Sequence, residues 1–261
     1  MAENGDPVLH LTGLNKSFGA VHVLHDVDFT VRRGEVMALV GDNGAGKSTL
    51  IKCIAGIHPT DSGTITFEGA PVQIGSPRDA AALGIEIVYQ DLALADNLDI
   101  VQNMFLGRER RKGLVLDEAS MEEAARQTLA RLSVRTVKSV RQQVASLSGG
   151  QRQTVAIAKA ALWDSKVVIL DEPTAALGVA QTRQVLDLVR RLAETGHGVV
   201  LISHNMNDVF EVADRITALY LGRVAADVAT SDVTHGQVVE LITAGRSGDL
   251  GLAPQTAAES I

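Results

Sequence analysis

An apolar strand, a glycine-rich loop and a helix follow one another without a gap, and this unit constrains the fold of the chain most. Residues 36–40 form a continuous apolar run, which is typical of a strand buried on both faces of a sheet. Residues 47–55 have the pattern of a helix. A strand joined to a helix in this way predicts an α/β protein with a parallel sheet. The loop between them, called the phosphate loop below, consists of Gly41, Asp42, Asn43, Gly44, Ala45, Gly46, Lys47 and Ser48.

The spacing of this loop, G-x-x-x-x-G-K-S, predicts a phosphate site. Glycines let the backbone curl so that successive N–H groups face a phosphate, and the N-terminus of the following helix adds a favourable dipole. The pattern places Lys47 beside the β- and γ-phosphates of a nucleotide, Ser48 at a Mg²⁺ ion and Thr49 at another phosphate oxygen. The alternative is a glycine-rich turn that binds nothing. The strand before the loop and the helix after it favour binding.

A second apolar run, residues 166–170, ends in a pair of carboxylates. Asp171 is expected to hold Mg²⁺, directly or through water. Glu172 is expected to polarise the water that attacks the γ-phosphate, because a carboxylate beside the metal can align and deprotonate that water. The alternative is a pair of acids that caps the next helix. That role is common for an isolated Asp-Glu pair and less so after an apolar strand.

A short polar segment lies between these two motifs and is called the signature segment below. Its residues are Ser148, Gly149, Gly150 and Gln151. The serine hydroxyl and the glycine N–H groups can meet a phosphate, and a helix is expected from Arg152 onward. Taken alone, Ser-Gly-Gly is a flexible turn.

The motifs stand in the order of the ATP-binding cassette (ABC) ATPases, and the chain resembles that family over residues 8–225. The resemblance implies the fold of a P-loop NTPase: a RecA-like parallel sheet with an antiparallel β subdomain and an inserted helical subdomain. It also implies ATP and Mg²⁺ as cofactors. In the family, the phosphate loop of one chain faces the signature segment of a second copy, so a homodimer is expected.

The resemblance assigns roles to three further residues and has one departure. Gln90, after the strand at 85–89, is expected to contact Mg²⁺ and the attacking water. His204 is expected to contact the γ-phosphate, since it alone of seven histidines ends an apolar strand downstream of Asp171. Phe18 resembles the aromatic residue that stacks on adenine, with a core phenylalanine as the alternative. Gly178 stands where the family usually has an aspartate that couples the two sites of the dimer.

Longer segments resemble the ATPases of monosaccharide importers for ribose, xylose and fructose, in particular the single-cassette, fructose-type form. These segments are residues 89–94, 103–109, 171–178 and 202–210. The expected function is therefore ATP hydrolysis that powers sugar uptake through a separate permease, with a periplasmic sugar-binding protein as an indirect partner. The expected location is the cytoplasmic face of the inner membrane. Two alternatives stay open: import of a branched-chain amino acid or a signal molecule, and a soluble ABC ATPase without a transport role.

The remaining sequence patterns predict the extent of the domain, and the composition argues against some partners and locations. Helical patterns at 101–106, 121–132 and 153–162 predict a helical subdomain at about 97–160, inserted in an ATPase domain over 8–245. The Ala-, Gly- and Ser-rich stretch 246–261 is expected to be a flexible tail. A turn is expected at 16–19. The net charge of −7 argues against nucleic acid as a partner, the single cysteine, Cys53, agrees with a reducing compartment, and no apolar run is long enough for a transmembrane helix.

Overall fold

Strands alternate with helices along most of the chain in the computed structural model, which describes residues 7–134 and 136–252. The strands are β1 (Pro7–Phe18), β2 (Val21–Arg32), β3 (Val36–Gly41), β4 (Ser62–Phe67), β5 (Ala70–Val72), β6 (Ile85–Val88), β7 (Arg111–Lys112), β8 (Val115–Leu116), β9 (Val167–Asp171), β10 (Gly198–Ile202), β11 (Arg215–Tyr220), β12 (Arg223–Ala229), β13 (Arg246–Ser247) and β14 (Leu250–Gly251). The α-helices are α1 (Lys47–Ile54), α2 (Pro77–Leu83), α3 (Ile100–Phe105), α4 (Glu118–Arg131), α5 (Gly149–Ala161), α6 (Val179–Glu194), α7 (Met206–Val212) and α8 (His235–Ala244).

The larger sheet has six strands in the order β12-β11-β3-β10-β9-β6. Five of them are parallel, and β12 joins as an antiparallel edge strand. The strands β3 and β10 are apolar, β9 is apolar up to its last residue, Asp171, and all three are almost wholly buried, as a sheet covered on both faces requires. The predicted α/β fold with a parallel core is therefore confirmed. Because β3, β6, β9 and β10 are parallel, their carboxyl ends lie at one edge of the sheet.

The smaller sheet is antiparallel, with the order β2-β1-β4-β5. It packs its apolar face, including Leu9, Leu11 and Phe29, against one side of the larger sheet. The turn expected at 16–19 is wrong in position. The strand β1 continues to Phe18, which pairs with Val21, so the turn is confined to residues 19–20. Ladder pairing of Lys16 and Ser17 with β2 explains why the strand extends through these polar residues.

The helices α3, α4 and α5 pack together and share one apolar core with α6. The three helical patterns in this part of the sequence are thus confirmed. The last of these helices begins at Gly149 and not at Arg152. Its earlier start has a local cause, because Ser148 and Gln151 cap the helix reciprocally.

The chain turns back after α8 at Gly245, which has a left-handed conformation with φ of 74°. For residues 246–252 the structure differs from the expected flexible tail, because β13 pairs with β14 and the Leu252 N–H donates to the Gly245 carbonyl (2.9 Å). Leu250 packs against the main core. The rest of the predicted tail, residues 253–261, lies outside the described residues. None of the helices within the described ranges has the length and apolar character needed to cross a bilayer.

Candidate active site

The phosphate loop connects β3 to α1 and lines a cavity of about 210 Å³. Gly46 is the N-cap of α1 and has φ of 106°, which only glycine adopts readily. A Cβ atom at this position would lie 2.8 Å from Cδ2 of Leu24, so the backbone also needs glycine for space. Asp42 to Thr49 all line the cavity, with Val23 on one side. The predicted loop residues therefore form a single concave surface at the N-terminus of a helix, which is suited to an anion.

Lys47 points its ammonium group back across the phosphate loop. Its Nζ donates hydrogen bonds to the carbonyls of Gly41 (2.6 Å) and Asp42 (3.1 Å). Burial lowers the pKa of Lys47, while the charges of Glu172, Asp42 and Asp171 oppose that shift. The loop therefore keeps a cation within reach of the two carboxylates that end β9.

Asp171 is the last residue of β9 and lies in register with Ile202 of β10. Its pKa is raised, first by burial and then by the charge of Glu172, against the opposing effect of Lys47 and Lys52. A half-buried carboxylate next to a second carboxylate is less stable as an anion, and an additional cation would stabilise it. The position fits the predicted role at a metal ion.

Glu172 has a left-handed backbone with φ of 50°, an uncommon conformation for a residue with a side chain. Its N–H donates to the carbonyl of Ile202 (2.9 Å), which holds the turn against β10. Strain of this kind costs on the order of 1 kcal/mol and tends to be found where a functional side chain must be aimed. The strained residue directly follows β9 and carries one of the two carboxylates predicted to be functional.

The carboxylate of Glu172 contacts His204, with 2.8 Å between Oε2 and the imidazole Nδ1. The Glu172 side chain is 17% exposed and the His204 side chain is 78% exposed. The histidine therefore covers the carboxylate from the solvent side. Sequence patterns predicted both residues, but not that they touch.

Gln90 follows β6, whose Val88 pairs with Leu170 directly before Asp171. The side chain is exposed at the same edge of the sheet. The pKa of the neighbouring Tyr89 is raised by burial and by the charge of Asp171, which places the end of β6 within electrostatic reach of that carboxylate. Ser48, Gln90 and Asp171 offer the oxygen donors that Mg²⁺ prefers, and such sites are usually completed by phosphate oxygens.

Phe18 ends β1 and is 43% exposed, so the alternative of a core phenylalanine does not hold. The ring centroid of Phe18 lies 5.0 Å from that of His58, edge to face, and 5.3 Å from Nζ of Lys16. Neither contact was expected from the sequence.

The signature segment caps α5. The Gln151 N–H donates to Oγ of Ser148 (3.4 Å), and the Ser148 N–H donates to Oε1 of Gln151 (2.9 Å). The Gln151 amide also donates to the Thr136 carbonyl (2.7 Å). Gly150 is buried, and a Cβ atom there would lie 3.0 Å from Cβ of Gln181 on α6. Ser148 and Gly149 remain exposed at the helix N-terminus.

The signature segment and the phosphate loop are separate in one chain. Among the described residues, no hydrogen bond or ion pair joins residues 148–151 to residues 41–49. Gly178, the departure from the family pattern, is the N-cap of α6 and donates its N–H to Oε1 of Gln181 (3.3 Å). Without a side chain it adds no group to either half of the site.

The sequence profile of the ABC transporter family matches residues 24–175, which include the phosphate loop, the signature segment and both carboxylates. The chain belongs to the ABC transporter family. It is accordingly an ATP-binding protein and an ATPase.

Curated relatives of this ABC protein include the fructose import ATP-binding protein FrcA of Rhizobium meliloti, which is 49% identical; the match covers 92% of this chain and 95% of that protein. The xylose/arabinose import ATP-binding protein XylG of Sulfolobus acidocaldarius is 44% identical, with 94% and 97% covered. The ribose import ATP-binding protein RbsA 1 of Rubrobacter xylanophilus is also 44% identical, but the match covers 89% of this chain and only 47% of that protein. The chain thus spans about half the length of the ribose-type relative.

Solved structures agree with the cassette fold. The protein cbiO1 from Clostridium perfringens, part of the ABC transporter complex cbiONQ, superimposes with a TM-score of 0.76 at 29% identity, covering 90% of this chain and 93% of that one. A nucleotide-free ATP-binding cassette from an ABC transporter gives a TM-score of 0.79 at 23% identity, covering 92% and 96%. The second likeness concerns the fold alone.

Sequence reasoning missed one buried carboxylate at the site. Asp208, only 4% exposed on α7, accepts hydrogen bonds from the Thr174 hydroxyl (2.6 Å) and the Asn205 amide (2.9 Å). Thr174 follows Glu172 by two residues, and Asn205 directly follows His204. Asp208 therefore joins the two loops that carry the Glu172–His204 pair. No local pattern marks it, because an aspartate in the first turn of a helix is common.

Proposed function

We propose that the chain is the ATP-hydrolysing subunit of a bacterial importer and that it powers uptake of a monosaccharide through a separate permease. The observation that carries the chemistry is the Glu172–His204 pair, at the edge of the sheet where the phosphate loop also lies. Two relatives match nearly the whole chain, a fructose import protein and a xylose/arabinose import protein, and they favour a sugar as cargo.

Each group of side chains has a separate role in phosphoryl transfer. The phosphate loop and Lys47 bind the β- and γ-phosphates and neutralise the charge that develops on them. Glu172 aligns a water molecule in line with the γ-phosphorus and accepts its proton as the bond to the ADP oxygen breaks. His204 holds the Glu172 carboxylate and is close enough to the same edge to meet the γ-phosphate. Mg²⁺, held by Ser48, Asp171 and Gln90, supplies further charge neutralisation.

Two copies are proposed to complete each site. The signature segment presents an exposed hydroxyl and the free N–H groups at the N-terminus of α5, which together favour a phosphate. In a symmetric dimer the phosphate loop of one copy meets the signature segment of the other, and the same contact occurs twice. ATP then bridges the copies, and its hydrolysis releases them.

The stretch from Asp91 to Gly107 is proposed to contact the permease. It contributes Leu98, Val101 and Phe105 to an apolar cavity of about 190 Å³, which Arg141 and Glu109 border. A cavity of this size suits one apolar side chain projecting from a helix of a membrane subunit. The chain would then lie at the cytoplasmic face of the inner membrane. The sugar would be recognised by the permease and a periplasmic binding protein.

The proposal is tested with Glu172→Gln, which keeps the shape of the side chain but removes the base. We expect steady-state ATP hydrolysis by the purified protein to fall at least about 100-fold, the usual contribution of a positioned general base. In cells that lack the chain, wild type should restore uptake of labelled fructose, xylose or ribose, and Glu172→Gln should not. Glu194→Gln, an exposed glutamate at the end of α6, is the matched control and should behave as wild type.

Three results would change the proposal. Full hydrolysis by Glu172→Gln would remove Glu172 as the base. Restored uptake of a branched-chain amino acid, in place of a sugar, would change the cargo. Hydrolysis without an effect on any uptake would favour a soluble ABC ATPase.

A further inference from the structure

Phe18 is an exposed aromatic ring that is nevertheless held from two directions. The ring of His58 meets it edge to face, with planes at 77° to each other. The Lys16 ammonium lies over it and is itself fixed by an ion pair with Asp61 (2.8 Å). Lys16 is buried, unlike most lysines. An exposed ring with two such contacts is oriented more strictly than a free surface phenylalanine.

Both contacts involve the segment that follows α1, residues 55–61. Its backbone is tied to α1, because the N–H groups of Ile57 and His58 donate to the Lys52 carbonyl (2.9 and 3.1 Å). It is tied to β1 as well, because the Asp61 N–H donates to the Asn15 carbonyl (3.0 Å). The helix that begins at the phosphate loop therefore ends in the segment that supports Phe18.

We propose that His58 is a positioning residue for nucleobase recognition: it holds the Phe18 ring in the orientation that stacks on adenine. The inference rests on the proposed function and, within it, on the adenine-stacking role that the family resemblance implies for Phe18. His58 acts through Phe18 and has no part in the chemistry at the phosphates. Loss of its ring frees Phe18 to rotate, so each binding event must order the ring again.

Binding of the nucleobase can be measured separately from binding of the phosphates. His58→Ala should weaken Mg-ATP binding by about two- to tenfold, the range that an edge-to-face aromatic contact provides. Binding of inorganic tripolyphosphate with Mg²⁺ should not change, because this ligand has no base. The KM for ATP should rise, while kcat at saturation stays the same. His58→Tyr, which restores an aromatic edge, should recover most of the affinity.

The experiment measures the affinity of both ligands by titration calorimetry or competition for wild type, His58→Ala, His58→Tyr and Phe18→Ala. The control is His235→Ala at the start of α8, which removes another Phe–His contact, with Phe210, whose rings are stacked and lie away from Phe18 in sequence. It should bind both ligands as wild type does. In the Phe18→Ala background, His58→Ala should have no further effect on ATP affinity.

The outcomes distinguish this inference from the proposal beneath it. If Phe18→Ala weakens ATP binding but His58→Ala does not, the positioning role is wrong and the stacking role stands. If Phe18→Ala leaves ATP affinity unchanged, the stacking role is wrong and the inference fails with it. If His58→Ala weakens tripolyphosphate binding as much as ATP binding, His58 acts on the fold of the phosphate loop, which also overturns the inference.

Discussion

Glu172 combines three properties that no single sequence pattern contains. It ends an apolar strand beside Asp171, it has a left-handed backbone, and its carboxylate contacts the imidazole of His204. The first property is visible in the sequence. The other two arise from the turn after β9, which the bond between the Glu172 N–H and the Ile202 carbonyl holds against β10. If Glu172 is the general base, as proposed, a carboxylate that is fixed before ATP binds needs no rearrangement at the moment of reaction.

His197 provides a test of the fold at a single residue away from the active site. Its ring is buried between the starts of β9 and β10, and this burial lowers its pKa below the ordinary value, with Arg131 acting in the same direction. In the unfolded chain the ring takes up a proton near pH 6.5. The unfolded state therefore binds more protons below that pH, and stability falls as the pH falls.

We expect the free energy of unfolding of wild type to decrease on going from pH 7.5 to 5.5 by more than that of His197→Gln. The difference arises below about pH 6.5 and is at most about 1.4 kcal/mol per pH unit. Urea unfolding at the two pH values measures it. If the free energy of unfolding fell equally for the two proteins, His197 would be protonated in the folded state at the same pH as in the unfolded state.

Residue patterns predicted the individual site residues better than their contacts. Asp171 ends a strand, and the phosphate loop, Glu172 and His204 come after the ends of strands, so their positions at one edge follow from a parallel sheet. His58 and Asp208 were not predicted, because each acts through a partner distant in sequence: 40 residues separate Phe18 from His58 (58 − 18), and 34 separate Thr174 from Asp208. Local patterns hold no information on pairs of this kind.

Three neighbouring strands position the carboxylates of Asp171 and Glu172. The strand β9 lies between β6 and β10, in register with both, so the residues after each strand converge. Asp208, on the helix α7 that follows β10, connects the loops that follow β9 and β10. Two of its hydrogen bonds join the loop after β9 to the loop after β10.

Asp208→Ala should lower kcat on the order of tenfold with little change in the KM for ATP, since the Glu172–His204 geometry loosens while the phosphate loop is untouched. The substitution removes the acceptor of the half-buried Thr174 hydroxyl, at a cost of about 1 kcal/mol in stability, whereas the exposed Asn205 amide can bond to water instead. Asp208→Asn, which keeps an oxygen acceptor, should lose less activity.

Steady-state kinetics and urea unfolding check this, with the exposed Asp232→Ala as control. An unchanged kcat in folded Asp208→Ala would show that the link between the loops does not orient the base.

The long elements were predicted well and the short ones were not. The predicted helix at 121–132 agrees with α4 to within three residues. The predicted buried strands at 36–40 and 166–170 agree with β3 and β9 to within one residue, because their apolar patterns are strong. The helices α2 and α8 and the strand β12 were not predicted. They are short or half-exposed, and what holds them is packing on the sheets, which a local pattern does not contain.

Within residues 7–134 and 136–252, the phosphate loop and the signature segment are not joined by a hydrogen bond or an ion pair. The phosphate loop and the carboxylates lie at the edge of the larger sheet, while the signature segment lies at the start of α5 in the helical part. Both segments are closely packed. A Cβ atom at Gly46 of the phosphate loop would lie against Leu24, and a Cβ atom at Gly150 of the signature segment would lie against Gln181. Two preformed half-sites on one chain are best explained if a second copy joins them.

The most direct test of this claim is the molar mass of Glu172→Gln in solution by light scattering, with and without Mg-ATP. The variant should bind ATP without turnover, so we expect a monomer without nucleotide and a dimer with it. Ser148→Arg in the same background places a bulky cation in the signature segment and should keep the protein monomeric while each chain still binds ATP. A Glu172→Gln protein that stays monomeric with ATP bound, or a dimer that forms equally well with Ser148→Arg, would contradict the composite site.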